Sequence, residues 1–111
     1  MEIRENNKIC IIAPLVGKLD KRQSTRIFET IKKDSRKIGI DLNYVSDCTY
    51  DFIEEIQTYS KTNKIGIFNI PSDLFSLFNV MEIDKFAQLF VSEQDFLNNS
   101  RQLINRKFAV V

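Results

Sequence analysis

Continuous apolar runs alternate with helically spaced apolar positions along this chain. Residues 9–16 (ICIIAPLV) form a β-rich run. Pro14 within it has no N–H for a ladder, which predicts an edge position or a bulge near the end of the run. Residues 2–5 alternate and are expected to pair with that run across the Asn6-Asn7 turn. Gly17 closes the run. Asp20, with Gln23 three positions on, has the spacing of a helix N-cap and its partner. The helix that starts there carries Ile27, Phe28 and Ile31. Lys32, Lys33, Arg36 and Lys37 crowd its C-terminal end, where the helix dipole favours cations, and are read as solvated.

Residues 38–45 (IGIDLNYV), 51–62 and 65–70 then read as strand, helix and strand, with Asn63 placed for a left-handed helix C-cap. The tetrapeptide Lys-Ile-Gly-Ile begins at Lys37 and again at Lys64. Both copies lead a strand of the kind a parallel crossover buries under helices, and they read as two similar strand starts rather than as an ancestral repeat. Pro71, Ser72 and Asp73 open a short helix bearing Leu74, Phe75, Leu77 and Phe78. Residues 86–91 (FAQLFV) are the last strand candidate. Ser92 with Asp95 opens a final helix bearing Phe96, Leu97, Leu103 and Ile104, with Arg101, Arg106 and Lys107 at its end. The apolar tail 108–111 is expected to dock on the sheet. The order β-β-α-β-α-β-α-β-α predicts an α/β sandwich: four helices on a small mixed sheet whose later strands are parallel. No linker divides residues 1–111, which are read as a single domain.

Composition narrows the chemistry. A chain of 111 residues can bury about two-thirds of its unfolded surface without staples. A net charge of +1 argues against nucleic acid or an anionic membrane as partner. Histidine is absent, which removes His-based triads, imidazole metal ligands and the usual proton shuttle, so ordinary hydrolase chemistry is not expected. Cys10 and Cys48 lack metal-site or disulfide-scaffold spacing and read as reduced thiols. The polar start of the chain and the lack of a long apolar span lead to the expectation of a cytoplasmic protein.

The distribution of charge says more than its sum. Residues 18–37 carry eight basic and three acidic side chains, whereas residues 41–60 carry five acidic ones (Asp41, Asp47, Asp51, Glu54, Glu55) and no basic one. The bland reading is a helix start decorated with carboxylates; the sharper one is an anionic docking surface. Gly17, Gly39 and Gly66 are too scattered for a phosphate-cradling loop, and Pro14, Leu15 and Val16 stand where a receiver-type acidic cluster would be needed. Tyr44, Tyr50, Tyr59 and Phe52 lack the basic interleaving of a single-strand binder. Adjacent Glu54 and Glu55 point in different directions, which speaks against paired-carboxylate hydrolysis. No cofactor and no metal are expected, and Asp41 is read as orienting a strand end.

Gly17-Lys18-Leu19-Asp20, Ile40-Asp41-Leu42 with Val45, and residues 67–79 followed by Ile83-Asp84-Lys85-Phe86 and Phe90 together resemble the STAS domain, the module of bacterial anti-sigma factor antagonists and of sulfate-transporter tails. The resemblance spans nearly the whole chain. It implies a non-catalytic interaction module that binds an anti-sigma factor or its serine-kinase form at the start of the second helix. In that family a strand is followed by Asp-Ser-Ser-Gly-Leu-Gly, and the first serine is phosphorylated. Here Thr49 falls on the aspartate, Tyr50 on the acceptor serine, Asp51 on the second serine, Phe52 on the glycine and Ile53 on the leucine. The usual acceptor is missing, so regulation by that phosphorylation is not expected. Tyr50 is the degenerate acceptor position. Thr49 is read as the helix cap, with a displaced acceptor as its alternative.

The expected contact surface is residues 46–55, with Asp20 alongside: Ser46, Asp47, Thr49, Tyr50, Asp51, Glu54 and Glu55. The alternatives are a subunit of a larger assembly, such as a stressosome-like scaffold or a cytosolic subunit of a lipid ABC transporter, and a small-ligand-binding α/β domain with a pocket at the carboxyl ends of its parallel strands. Homodimerisation is left open.

Overall fold

Residues 1–100 are described by a computed structural model. Five strands build the main sheet: β1 (Glu2–Glu5), β2 (Ile9–Ala13), β4 (Lys37–Asp41), β6 (Ile65–Phe68) and β7 (Gln88–Leu89), in the order β1-β2-β4-β6-β7. β1 runs antiparallel to β2, and every later pair is parallel. The helices are α1 (Lys21–Ile31), α2 (Tyr50–Tyr59), α3 (Ser72–Val80) and α4 (Glu93–Asn98), with a 3₁₀ turn at Ile83–Lys85. The expected α/β architecture with a mixed sheet and four helices is therefore present. Two strands were not expected from the sequence: β3 (Lys18–Leu19) and β5 (Asp47–Cys48), which pair with each other in parallel outside the main sheet.

Side chains alternate across a sheet, and here the alternation divides two cores. Cys10, Ile12, Ile38, Ile40, Ile65 and Ile67 meet Ile27, Phe28 and Ile31 of α1, Phe52, Ile53 and Ile56 of α2, and Leu74 and Phe78 of α3. On the opposite face Ile11 and Phe68 meet Phe90 and Phe96. The two Lys-Ile-Gly-Ile copies lie side by side in register, Ile38 beside Ile65, Gly39 beside Gly66 and Ile40 beside Ile67. Their glycines leave the floor on which Phe96 of α4 lies. A Cβ would come within 2.7 Å of the Phe96 ring at Gly39 and within 2.5 Å at Gly66. Phe68 stacks on Phe96 at 5.2 Å and Phe90 meets it edge-on at 5.8 Å. Lys37 closes the stack, its Nζ 4.4 Å from the Phe96 ring centre and donating to the Phe96 carbonyl at 2.7 Å.

Several local expectations are corrected. β2 is flanked on both sides, so Pro14 does not mark an edge; the strand stops at Ala13, before a ladder donor is lost. The third apolar run stays a strand only to Asp41, and the last only over Gln88–Leu89. Asn63 is not among the left-handed residues, which in the described part are Asn69, Glu82 and Asn99, with no glycine among them. It is buried instead, and its Nδ2 donates to the Asp34 carbonyl at 2.7 Å, tying the end of α2 to the loop after α1. α1 ends at Ile31 with no basic residue in its last turn. Arg36 grips the Asp34 carboxylate through Nε and Nη2 and the Asn6 carbonyl through Nη1, and Lys37 belongs to β4. α4 stops at Asn98, before a left-handed Asn99. Arg101, Leu103, Ile104, Arg106, Lys107 and the tail 108–111 lie outside the described residues.

Asp41 orients a strand end as expected. Its Oδ1 accepts from the Asn43 N–H and from Asn69 Nδ2, both at 3.0 Å, and its Oδ2 accepts from Arg4 Nη2 at 3.2 Å. Arg4 also reaches Glu93 Oε1 at 2.6 Å, which fastens the edge strand to the start of α4.

Gly66→Ala is expected to lower unfolding stability by ~1–3 kcal/mol, because the new methyl overlaps a fully buried ring. Urea denaturation should show a lower midpoint at unchanged slope. In a Phe96→Leu background the same substitution should be milder, read as a coupling in a double-mutant cycle. Phe96→Ala alone should lose ~3–5 kcal/mol.

Candidate protein-interaction site

The site is set by the small ladder between β3 and β5, which pairs Lys18 with Asp47 and Leu19 with Cys48. Leu19 and Cys48 are buried and anchor it, while Lys18 and Asp47 face solvent. The Gly17 carbonyl accepts from the Ser46 N–H at 2.7 Å, the Asp47 N–H at 3.1 Å and the Ser46 hydroxyl at 3.0 Å. The Leu19 carbonyl accepts from the Thr49 N–H at 2.8 Å. Two loops distant in sequence are thus joined, and α1 and α2 leave the ladder side by side. Asp20 caps α1, its Oδ1 accepting from the Gln23 N–H at 2.9 Å.

α2 buries Phe52, Ile53 and Ile56. Helical spacing then leaves Tyr50 and Glu54 outside, and Tyr50 is 55% exposed despite its aromatic ring. Thr49 occupies the cap position, but its hydroxyl makes no capping bond. It lies 3.0 Å from Asp51 Oδ2 and 3.4 Å from the Leu19 carbonyl, and donates its proton toward these instead. The cap reading is therefore right in position, but the hydroxyl accepts no helix N–H and acts only as a donor, chiefly to the Asp51 carboxylate.

Among the described residues, Asp20, Asp47, Asp51, Glu54 and Glu55 take part in no ion pair. Burial, followed by the carboxylates of Glu29, Glu54 and Asp51, pushes the half-buried Glu55 up from the usual carboxylate range. The segment from Asp47 to Glu55 carries four carboxylates and no basic residue, and Lys18 stands beside Asp47 across the ladder without an ion pair. All eight residues expected at the site fall on this end of α2 and the joined loops. Asp20, Ser46, Asp47, Thr49, Tyr50 and Asp51 surround the ladder, while Glu54 and Glu55 stand one turn further along the helix.

Two further residues were not picked out from the sequence. Leu15 is 51% and Tyr44 63% exposed, on the loops that follow β2 and β4. They add apolar surface to the same end of the sheet, and their signal was an apolar residue just past a strand end. Three surface depressions among the described residues open elsewhere: beside Glu29–Arg36, beside Asn63, Ile65 and Phe86, and beside Arg4, Ile9 and Leu97. No group of acidic or thiol side chains suited to a metal occurs among the described residues, and no described helix is long and apolar enough to cross a membrane.

Cys48 lies under the ladder, and burial, with Asp47 beside it, pushes its thiol up to about 11. Burial raises Cys10 as well. Both thiols should resist iodoacetamide at neutral pH, because the thiolate is the reactive form, and both should be modified at once in denaturant. Mass spectrometry of the intact chain checks this.

No family model matches the chain, and no curated protein sequence matches it. A solved structure does: an anti-sigma-factor antagonist (STAS) domain protein from Planctomyces limnophilus superposes with a TM-score of 0.73 at 19% identity, over 88% of this chain and 94% of that chain. At this identity the likeness is one of architecture, and the chain has the fold of a STAS domain.

Proposed function

We propose that the chain is a non-catalytic interaction module of the anti-sigma factor antagonist type. It binds an anti-sigma factor, or one with serine-kinase activity, through residues 46–55 with Asp20 alongside. The observation that carries this reading is Tyr50, an aromatic ring on the first turn of α2 held half out in solvent, with the carboxylates of Asp47 and Asp51 beside it in sequence. Exposed aromatics at the centre of a polar patch are the side chains that dominate protein interfaces. The fold of the Planctomyces limnophilus protein supports the partner class.

Control by serine phosphorylation is not part of this proposal. Tyrosine stands where the resemblance places the acceptor serine, and the neighbouring Thr49 hydroxyl is bonded to Asp51. A phosphate at a helix start adds roughly −1.5 to −2 charge; here Asp47 and Asp51 supply fixed negative charge in the same region. Association would then be constitutive, and its partner surface basic with an apolar recess for the Tyr50 ring.

Purified chain should form a complex with at least one anti-sigma factor of the source organism, with equal affinity whether or not ATP is present and with no phosphate added in the intact mass. Tyr50→Ala should weaken that complex by about tenfold or more, and Asp51→Lys by a salt-dependent amount, both with unchanged melting. Failure to bind any such factor, or equal binding by the Tyr50→Ala variant, overturns the proposal.

A further inference from the structure

α1 and α2 carry opposite charges at corresponding places. Each helix begins two residues after its strand of the small ladder, Lys21 after Leu19 and Tyr50 after Cys48, so the two start at the same height. Counted from the ladder, Lys18 corresponds to Asp47, Arg22 to Asp51 and Arg26 to Glu55. Lys18, Lys21, Arg22, Arg26 and Lys33 are exposed and make no ion pair among the described residues. Neither do Asp47, Asp51, Glu54 and Glu55. The helices pack directly, through Phe28 on Phe52 and Phe28 on Tyr59, yet no ion pair crosses the seam. The reason is that α1 brings Glu29, not a cation, up to Glu55. Opposite charges therefore lie beside one another and remain unspent.

We propose that this face pairs with the same face of a second copy of the chain, α1 of each copy lying over α2 of the other. A two-fold axis along the helices exchanges α1 and α2 and preserves height. It sets Lys18, Arg22 and Arg26 of one copy against Asp47, Asp51 and the adjacent Glu54 and Glu55 of its partner, of which Glu54 is the exposed one, and does so twice. A partner of uniform charge would match one helix and repel the other, whereas a second copy supplies the complementary order by symmetry. The net charge of +1 leaves little overall repulsion to overcome. α1 and α2 have 11 and 10 residues, or about 15 Å of length each, so the interface falls in the small class, below about 1,200 Å². Association is accordingly weak and governed by ionic strength. The carboxylates it covers are also those of the proposed partner site, so the two complexes exclude each other.

Sedimentation velocity of the full chain, over about 10 μM to 1 mM protein, tests this at about 0.05 M and 0.5 M NaCl, where screening lengths differ about threefold. A monomer–dimer equilibrium at least tenfold weaker at high salt is expected. Arg22→Glu/Arg26→Glu and Asp51→Lys/Glu54→Lys should each be monomeric, and an equimolar mixture of the two should recover the dimer. Cooperative melting shows that each variant folds; if one does not, the matched single reversals Arg26→Glu and Glu54→Lys replace the pair. A wild-type chain monomeric throughout, a dimer insensitive to salt and to both reversals, or a mixture that stays monomeric overturns the proposal. The α1 variant keeps every residue of the proposed partner site, so loss of its dimer with retained partner binding separates the two readings.

Discussion

Parallel pairing of β2, β4 and β6 is the constraint on which the rest depends. Each of these strands delivers the chain to the same end of the sheet, and each must be followed by a helix that returns it to the other end. The turns after β2 and β4 are therefore neighbours by construction, and the ladder between Lys18–Leu19 and Asp47–Cys48 needs only the backbone groups already there. Burial of Leu19 and Cys48 beneath it fixes the depth at which α1 and α2 begin. The position of Tyr50 therefore follows from strand pairings made with segments distant in sequence, Lys18–Leu19 among them.

The same pairing explains the two glycines. In-register parallel strands set residues of one face side by side, and the matching Lys-Ile-Gly-Ile starts turn two isolated glycines into one flat floor. Phe96 uses that floor, so a helix of six residues can hold its side of the sheet with one ring, two aromatic neighbours and the Lys37 contact. On the other face three helices bury a far larger core. The heavily packed side is the one that carries the α1–α2 surface.

Electrostatics at the α2 start follow from what the helix must bury. Phe52, Ile53 and Ile56 face the core, and the acidic residues between them have no place but the surface. Because α1 presents Glu29 at the seam, those carboxylates are not neutralised within the chain.

The helices, the main-sheet strands and the mixed sheet could be read from the chain itself, since apolar periodicity and the Gly17–Asp20 and Asp41–Val45 segments are local properties. Side-chain partners were not local. Asn63 could satisfy its amide at a helix end or across the gap to Asp34, and only the approach of α1 to α2 chose the second. Thr49 held the cap position that its sequence announced, but the geometry of Asp51 decided where its proton points. Pro14 marked the end of a strand, while its place between two neighbours was set by β1 and β4. Periodicity is carried by the covalent order of residues and survives without a fold. Hydrogen-bond partners and the meeting of Lys18 with Asp47 exist only once separate segments are packed together.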